Sequence, residues 1–72
     1  VRGMTKKQGA VLAFIREFIA KTGFPPTRVE IAVGMGYRSP NAAEDHLKAL
    51  ERTGAIELIH GISRGIRITE AI

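Results

Sequence analysis

YRSPNAAEDHLKALERTG, residues Tyr37 to Gly54, is the stretch that decides the fold of this chain. It reads as one amphipathic helix with a marked start and stop. Ser39 is placed to cap it, and Pro40 suits the first helical position because the N–H there has no helical partner. Gly54 falls where a left-handed C-terminal cap belongs. Ala43, Leu47 and Leu50 recur at spacings of four and three, so they share one face. Asn41, Asp45, Lys48 and Arg52 recur on the opposite face. That outer face is polar and rich in hydrogen-bonding groups at its N-terminal end. It suits a helix that offers its first turns to a surface with its own donor and acceptor pattern, and the DNA major groove is the leading candidate.

Outward from this helix the chain reads as a small domain. The sequence has 72 residues, which bounds it to one unit, residues 1–72, of modest core and marginal stability. With no cysteine, neither a disulfide nor a thiolate zinc site can staple it, so packing must supply the core. Apolar residues make up 44% of the chain, too many for a disordered segment. No apolar run approaches the roughly 20 residues needed to cross a bilayer, and residues 1–8 carry no signal-peptide core. No membrane partner is expected, and a cytoplasmic location follows by default. The net charge of +4, eleven Lys and Arg against seven Asp and Glu, permits attraction to phosphate without proving it.

Before the central helix lie two others. Thr5-Lys6-Lys7-Gln8 matches a capping box, and Val11, Leu12, Ile15, Phe18 and Ile19 follow at helical spacing. Gly23 should stop this helix, and Pro25-Pro26 forbids its resumption. Thr27-Arg28-Val29-Glu30 is a second capping box opening a short helix of about two turns, with Ile31, Ala32 and Met35 facing inward and Gly36 at its end. Gly34 costs that helix about 1 kcal/mol against alanine; either the helix frays there or close packing requires the glycine. Only Gly36 to Arg38 separate it from the Ser39 cap, which is helix-turn-helix spacing, with the motif at about 28–48. After Gly54 the period changes to two: Ile56, Leu58 and His60 alternate with Glu57 and Ile59, and Ile66 and Ile68 with Arg67 and Thr69. Two short strands joined through Gly61 to Gly65 form a hairpin, a wing at about 55–69, that must pack on the helices to persist. The fold class is mostly α with a small β-hairpin: a winged helix-turn-helix of three helices plus a two-stranded antiparallel wing.

The chemistry follows from that placement. Asn41 suits a paired hydrogen bond with adenine, and Glu44 or Asp45 suits acceptance from the cytosine amino group. Ser39 donates or accepts, and Ala42 leaves room for a thymine methyl. A carboxylate near phosphate is repelled, so the acidic pair makes sense if it reads a base; otherwise it complements the helix dipole. Arg28, Arg38, Lys48, Arg52 and Arg64 lie in or near the helix-turn-helix and wing, where they could grip phosphates. Lys7 is assigned to the DNA backbone from the first helix. The N-termini near Thr5 and Thr27 add N–H donors for the same purpose. Catalysis has little support. His46 and His60 have no carboxylate at metal-ligand spacing, Ser39 and Ser63 lack a triad context, and no glycine-rich phosphate loop follows a strand. No catalytic residue, metal or cofactor is expected.

The segments TGFPPTRVEIA (22–32), GYRSPNAAEDHLKALERTGAIE (36–57) and GISRGIRI (61–68) closely resemble the N-terminal DNA-binding domain of the LexA family, bacterial repressors of the DNA-damage (SOS) response. The likeness runs from about Thr5 to Ile68. It implies sequence-specific binding to double-stranded DNA, as a homodimer on a pseudo-palindromic operator, in the bacterial cytoplasm at the nucleoid. It implies that Ser39, Asn41, Ala42, Glu44 and Asp45 read a CTGT-type half-site, with Thr27, Arg28, Arg52, Ser63 and Arg64 on the backbone and at the wing. Val33-Gly34 stands where the family has a longer polar pair, and Asp45 where glutamate is common. The family continues into a self-cleaving serine–lysine peptidase domain that supplies most of the dimer interface. This chain ends at Ile72, so neither autoproteolysis nor a stable dimer off DNA is expected of it.

Two rivals remain. A protein-interaction module would show an exposed apolar patch, around Ile59 and Ile62, with poor DNA affinity. A single-strand binder would want aromatic stacking platforms, and three Phe and one Tyr leave few to spare.

Overall fold

A computed structural model describes residues 5–69. The elements run α1 (Lys6–Thr22), α2 (Arg28–Met35), α3 (Pro40–Thr53), β1 (Ile56–Leu58) and β2 (Ile66–Ile68). The first two helices start as their local sequence dictates. The Thr5 hydroxyl accepts from the Gln8 amide at 3.1 Å while the Gln8 side chain accepts from the Thr5 amide at 3.2 Å. Thr27 and Glu30 repeat the reciprocal pair at 3.1 and 2.9 Å. Each box satisfies two amides that a helix start otherwise leaves open.

The third helix begins at the expected residue by a different device. Ser39 occupies the cap position in extended backbone, but its hydroxyl makes no capping hydrogen bond. The Ala42 amide, the donor such a cap would use, goes to the Ser39 main-chain carbonyl at 3.3 Å. Gly54 closes the helix at φ 85°, a left-handed conformation that glycine adopts without a steric penalty.

The core gathers around α3, which packs against α1, α2 and β1 together. Ala43, Leu47 and Leu50 from α3 meet Val11, Leu12 and Ile15 from α1, Ile31 and Ala32 from α2, and Ile56 and Ile66 from the hairpin. Gly34 proves to be a packing residue: α2 continues past it to Met35, and a methyl at that position would overlap the ring edge of Phe14.

The hairpin is antiparallel, pairing Ile56 with Ile68, Glu57 with Arg67 and Leu58 with Ile66. One face carries the four apolar residues inward; on the other, Arg67 and Glu57 form an ion pair at 2.6 Å. Hydrogen bonds from the Ala55 amide to the Leu50 carbonyl and from the Thr69 amide to the Ala55 carbonyl, both 3.1 Å, tie the hairpin to the end of α3. The ladder is shorter than the alternating run suggests. His60 lies in a turn beyond β1, because the Ile59 amide donates to the Gly65 carbonyl at 2.8 Å and closes the loop there. Closure needs Gly65 for its size: a Cβ at that position would collide with the Ile59 carbonyl oxygen. Gly65→Ala should therefore cost about 1–3 kcal/mol, read by chemical denaturation, with faster hydrogen exchange at the Ile59 amide. Unchanged stability and exchange would show that the loop closes without this contact.

Candidate nucleic-acid interface

The helix-turn-helix presents one face of α3 to solvent. Asn41, Asp45, Lys48 and Arg52 are exposed on it, and Ser39, Ala42 and Glu44 are half-buried along its margin. The turn before α3 is held from both sides: the Tyr37 amide donates to the Ala32 carbonyl at 2.8 Å, and the Tyr37 ring stacks on His46, centroids 5.3 Å apart. These contacts tie the start of α3 to the end of α2. Ser39, Asn41 and Asp45 have no side-chain partner among the described residues. Their donors and acceptors face water.

Glu44 differs from its neighbour Asp45. Arg28 donates to one Glu44 oxygen at 2.5 Å, and Lys48 lies 3.6 Å from the other. The Arg28 hydrogen bond, reinforced by the charge of the guanidinium and then of Lys48, holds the Glu44 carboxyl below its ordinary range. It is an ionised acceptor whose charge is already neutralised. Both cations keep more than half of their side chains exposed, so the reassignment does not hide them.

A groove of about 800 Å³ runs between the start of α2, the flank of α3 and the wing. Thr27, Arg28, Lys48, Arg52 and Ser63 all line it, so five residues that the sequence assigned to the DNA backbone share one concavity. Glu44 borders the same groove, whereas Lys7 sits apart on the first turn of α1. Val29, Ile59 and Ile62 add exposed apolar surface to its walls.

Arg64 is the residue that the structure places differently from expectation. Rather than projecting from the wing, its guanidinium turns inward and forks onto Glu30, Nη1 to Oε1 at 2.6 Å and Nη2 to Oε2 at 3.0 Å. Nη1 also donates to the Pro25 carbonyl at 2.8 Å, and the group lies 4.6 Å over the Phe24 ring. The reason is local: Glu30 is fixed in its rotamer by the capping box, and so offers a preset carboxylate to a bidentate donor. The sequence signal for this pair was hidden, because Glu30 already had a role as the third residue of the box.

Among the described residues no cluster of three His, Asp or Glu could hold a metal, and no helix is long and apolar enough to cross a membrane.

Three helices with α2 and α3 joined by a tight turn, followed by a hairpin packed beside α3, define a winged helix-turn-helix. The chain belongs to the LexA DNA-binding domain family, whose model matches residues 1–65. It is similar to the LexA repressor of Bordetella avium, 63% identical over 68 residues that cover 94% of this chain and 32% of that protein. The LexA repressor of Bordetella pertussis is 65% identical over 65 residues, 90% of this chain and 30% of its own length. That of Marinomonas sp. is 63% identical over 67 residues. The chain thus spans about a third of the length of the curated relatives it matches.

The Arg64 hydrogen bonds, followed by the Thr27 amide, lower the Glu30 pKa from 4.5 to about 2. The folded state therefore binds this proton less tightly than the unfolded chain. Stability from this source is fully present above pH 4.5 and is lost as pH falls from there through about 2. Glu30→Gln keeps the cap geometry, as Gln8 does in the first box, and removes the charge. Over that window wild type should lose stability more steeply than Glu30→Gln in denaturant titrations. Parallel curves would mean that the carboxylate adds nothing.

Proposed function

We propose that this chain binds double-stranded DNA with sequence specificity, as the operator-recognition domain of a LexA-like transcriptional repressor. The observation that carries the reading is the front of α3: among the described residues Ser39, Asn41 and Asp45 stand unpartnered beside a groove walled by Arg28, Lys48 and Arg52. In the major groove, Asn41 pairs with an adenine edge and the carboxylates accept from cytosine amino groups, while Ala42 packs on a thymine methyl. Thr27, Arg28, Lys48, Arg52 and Ser63 follow the phosphates on either side of α3, with Lys7 reaching the backbone from the first helix. The same proposal includes a pseudo-palindromic operator with CTGT-type half-sites, binding as a homodimer, and control of the DNA-damage response. Membership of the LexA DNA-binding domain family, with relatives named as repressors, supports a DNA-binding repressor role, from which these finer points extend.

A second reading, a protein-interaction module, is favoured by Val29, Ile59 and Ile62, which are 57, 44 and 60% exposed. Titrating the labelled chain with a CTGT palindrome, a scrambled duplex and a single strand separates the two. Shifts in the Ser39–Asp45 amides specific to the palindrome support DNA reading; no shift there with any of the three rejects it.

Asn41→Ala should cost about 1–3 kcal/mol on the specific site and little on the scrambled duplex. Equal affinities of mutant and wild type for both would remove Asn41 from base reading. Arg52→Ala should weaken both duplexes alike and flatten the slope of log K against log salt by about one unit. An unchanged slope would take Arg52 off the backbone.

A further inference from the structure

We infer that Arg64 and Glu30 form a positioning pair: they dock the wing onto the start of α2 and thereby set the gap between wing and α3 on which sequence discrimination depends. The inference rests on the DNA-binding reading above. At the base of the wing loop the Ile59–Gly65 hydrogen bond closes it, and two three-residue strands anchor it to the core. From Gly61 to Ser63 every residue is exposed. Among the described residues, Arg64 is the loop side chain that hydrogen-bonds across to another element, with three bonds to residues 34 and 39 positions earlier in the chain.

The contact is geometric more than energetic. Both side chains remain more than a third exposed, 36% for Arg64 and 37% for Glu30, so water screens the attraction. What a fork on a carboxylate supplies is direction. Its two parallel bonds fix the plane of the guanidinium, the Pro25 carbonyl fixes its depth, and Phe24 covers one side. The carboxylate end is equally fixed, since Glu30 Oε1 also accepts from the Thr27 amide at 2.9 Å. Thr27, Arg28 and Ser63 line the groove next to this joint. A shift of the joint would move the wing wall relative to the α3 wall, misaligning backbone contacts that set the register of Asn41 and Asp45.

A phosphate ligand behaves differently, and the two roles predict opposite signs. Were Arg64 a phosphate contact restrained by Glu30, Glu30→Gln would free it and raise the net charge by one, so DNA binding would tighten. For a positioning pair the same variant loosens the wing, and the specific-to-scrambled affinity ratio falls about tenfold, the worth of one good base contact. Arg64→Lys keeps the charge but loses the fork, and should lower the ratio similarly with the salt slope unchanged. The Glu30→Gln/Arg64→Lys double variant should be no worse than either single one.

The experiment measures affinity of the 72-residue chain and these three variants for the CTGT palindrome and the scrambled duplex across a salt series. Amide spectra of the α1 and α3 cores verify that each variant is folded. A lowered ratio in both single variants, non-additive in the double, upholds the pair. Tighter binding by Glu30→Gln, full retention by Arg64→Lys, or additive losses overturns it. If wild type itself does not distinguish the duplexes, the DNA-reading proposal fails instead, and the two failures cannot be confused.

Discussion

Leu50 has no solvent-accessible surface, and Ala43 and Leu47 beside it are nearly as buried. The inward face of α3 is thus the hub on which the two other helices and the hairpin converge. Taking these side chains out of water is the dominant favourable contribution in a chain without cysteine. The same burial dictates where function can reside. A helix of 14 residues packed on three sides by its own domain has one face left, and Asn41, Asp45, Lys48 and Arg52 are among its exposed positions, with Pro40 and Glu51. Stability and presentation are two consequences of one orientation.

Charge is distributed with similar economy. A net +4 says little about where positive potential lies. The structure sorts the cations by their partners. Arg64 is joined to Glu30 and Arg67 to Glu57, so these arginines are locally neutral. Arg28 and Lys48 share one carboxylate, Glu44, leaving a surplus of one positive charge at the groove. Arg38 and Arg52 have no partner among the described residues. Unpaired cations thus stand around the helix-turn-helix and the flank of α3, offset in part by the unpaired Asp45, and also at Lys6 and Lys7 on the first turn of α1. The arginine that stands nearest the wing tip in sequence is the one most fully committed inside the domain.

What could be read from the sequence was what depends on neighbours in the chain. The Thr5–Gln8 and Thr27–Glu30 boxes, the glycines ending each helix, the apolar stripe of α3 and the alternation of the hairpin are all settled within a few residues. Ser39 shows the limit even of local rules: the position was right, yet the helix start is closed by a main-chain carbonyl and the hydroxyl stays unspent. Gly34 could not be decided from propensity, because its reason is Phe14, twenty positions earlier. The Arg28–Glu44 and Arg64–Glu30 pairs were invisible for the same cause. Each residue had a sufficient explanation on its own element, and nothing in a linear sequence announces that a capping glutamate also receives a guanidinium from a wing.

The contrast between adjacent carboxylates bears most directly on recognition. Glu44 is held by Arg28 and Lys48, so bringing it near phosphate carries little electrostatic cost, and its ionised oxygens keep lone pairs free. Asp45 has no such cover. An uncompensated carboxylate approaching a polyanion is repelled, and its position on the second turn of α3 places it beyond the strongest part of the helix dipole. Repulsion of that kind is offset where the group gains a hydrogen bond in return, and the donors on offer in the major groove are the cytosine and adenine amino groups. On the DNA-reading proposal, Asp45 would also select against wrong bases. Opposite guanine or thymine it would face only acceptors, adding a second repulsion to the first. Under that proposal an unpaired acid at this position would raise discrimination at the expense of affinity, and Arg28, Lys48 and Arg52 around the groove would restore the affinity without reading the sequence.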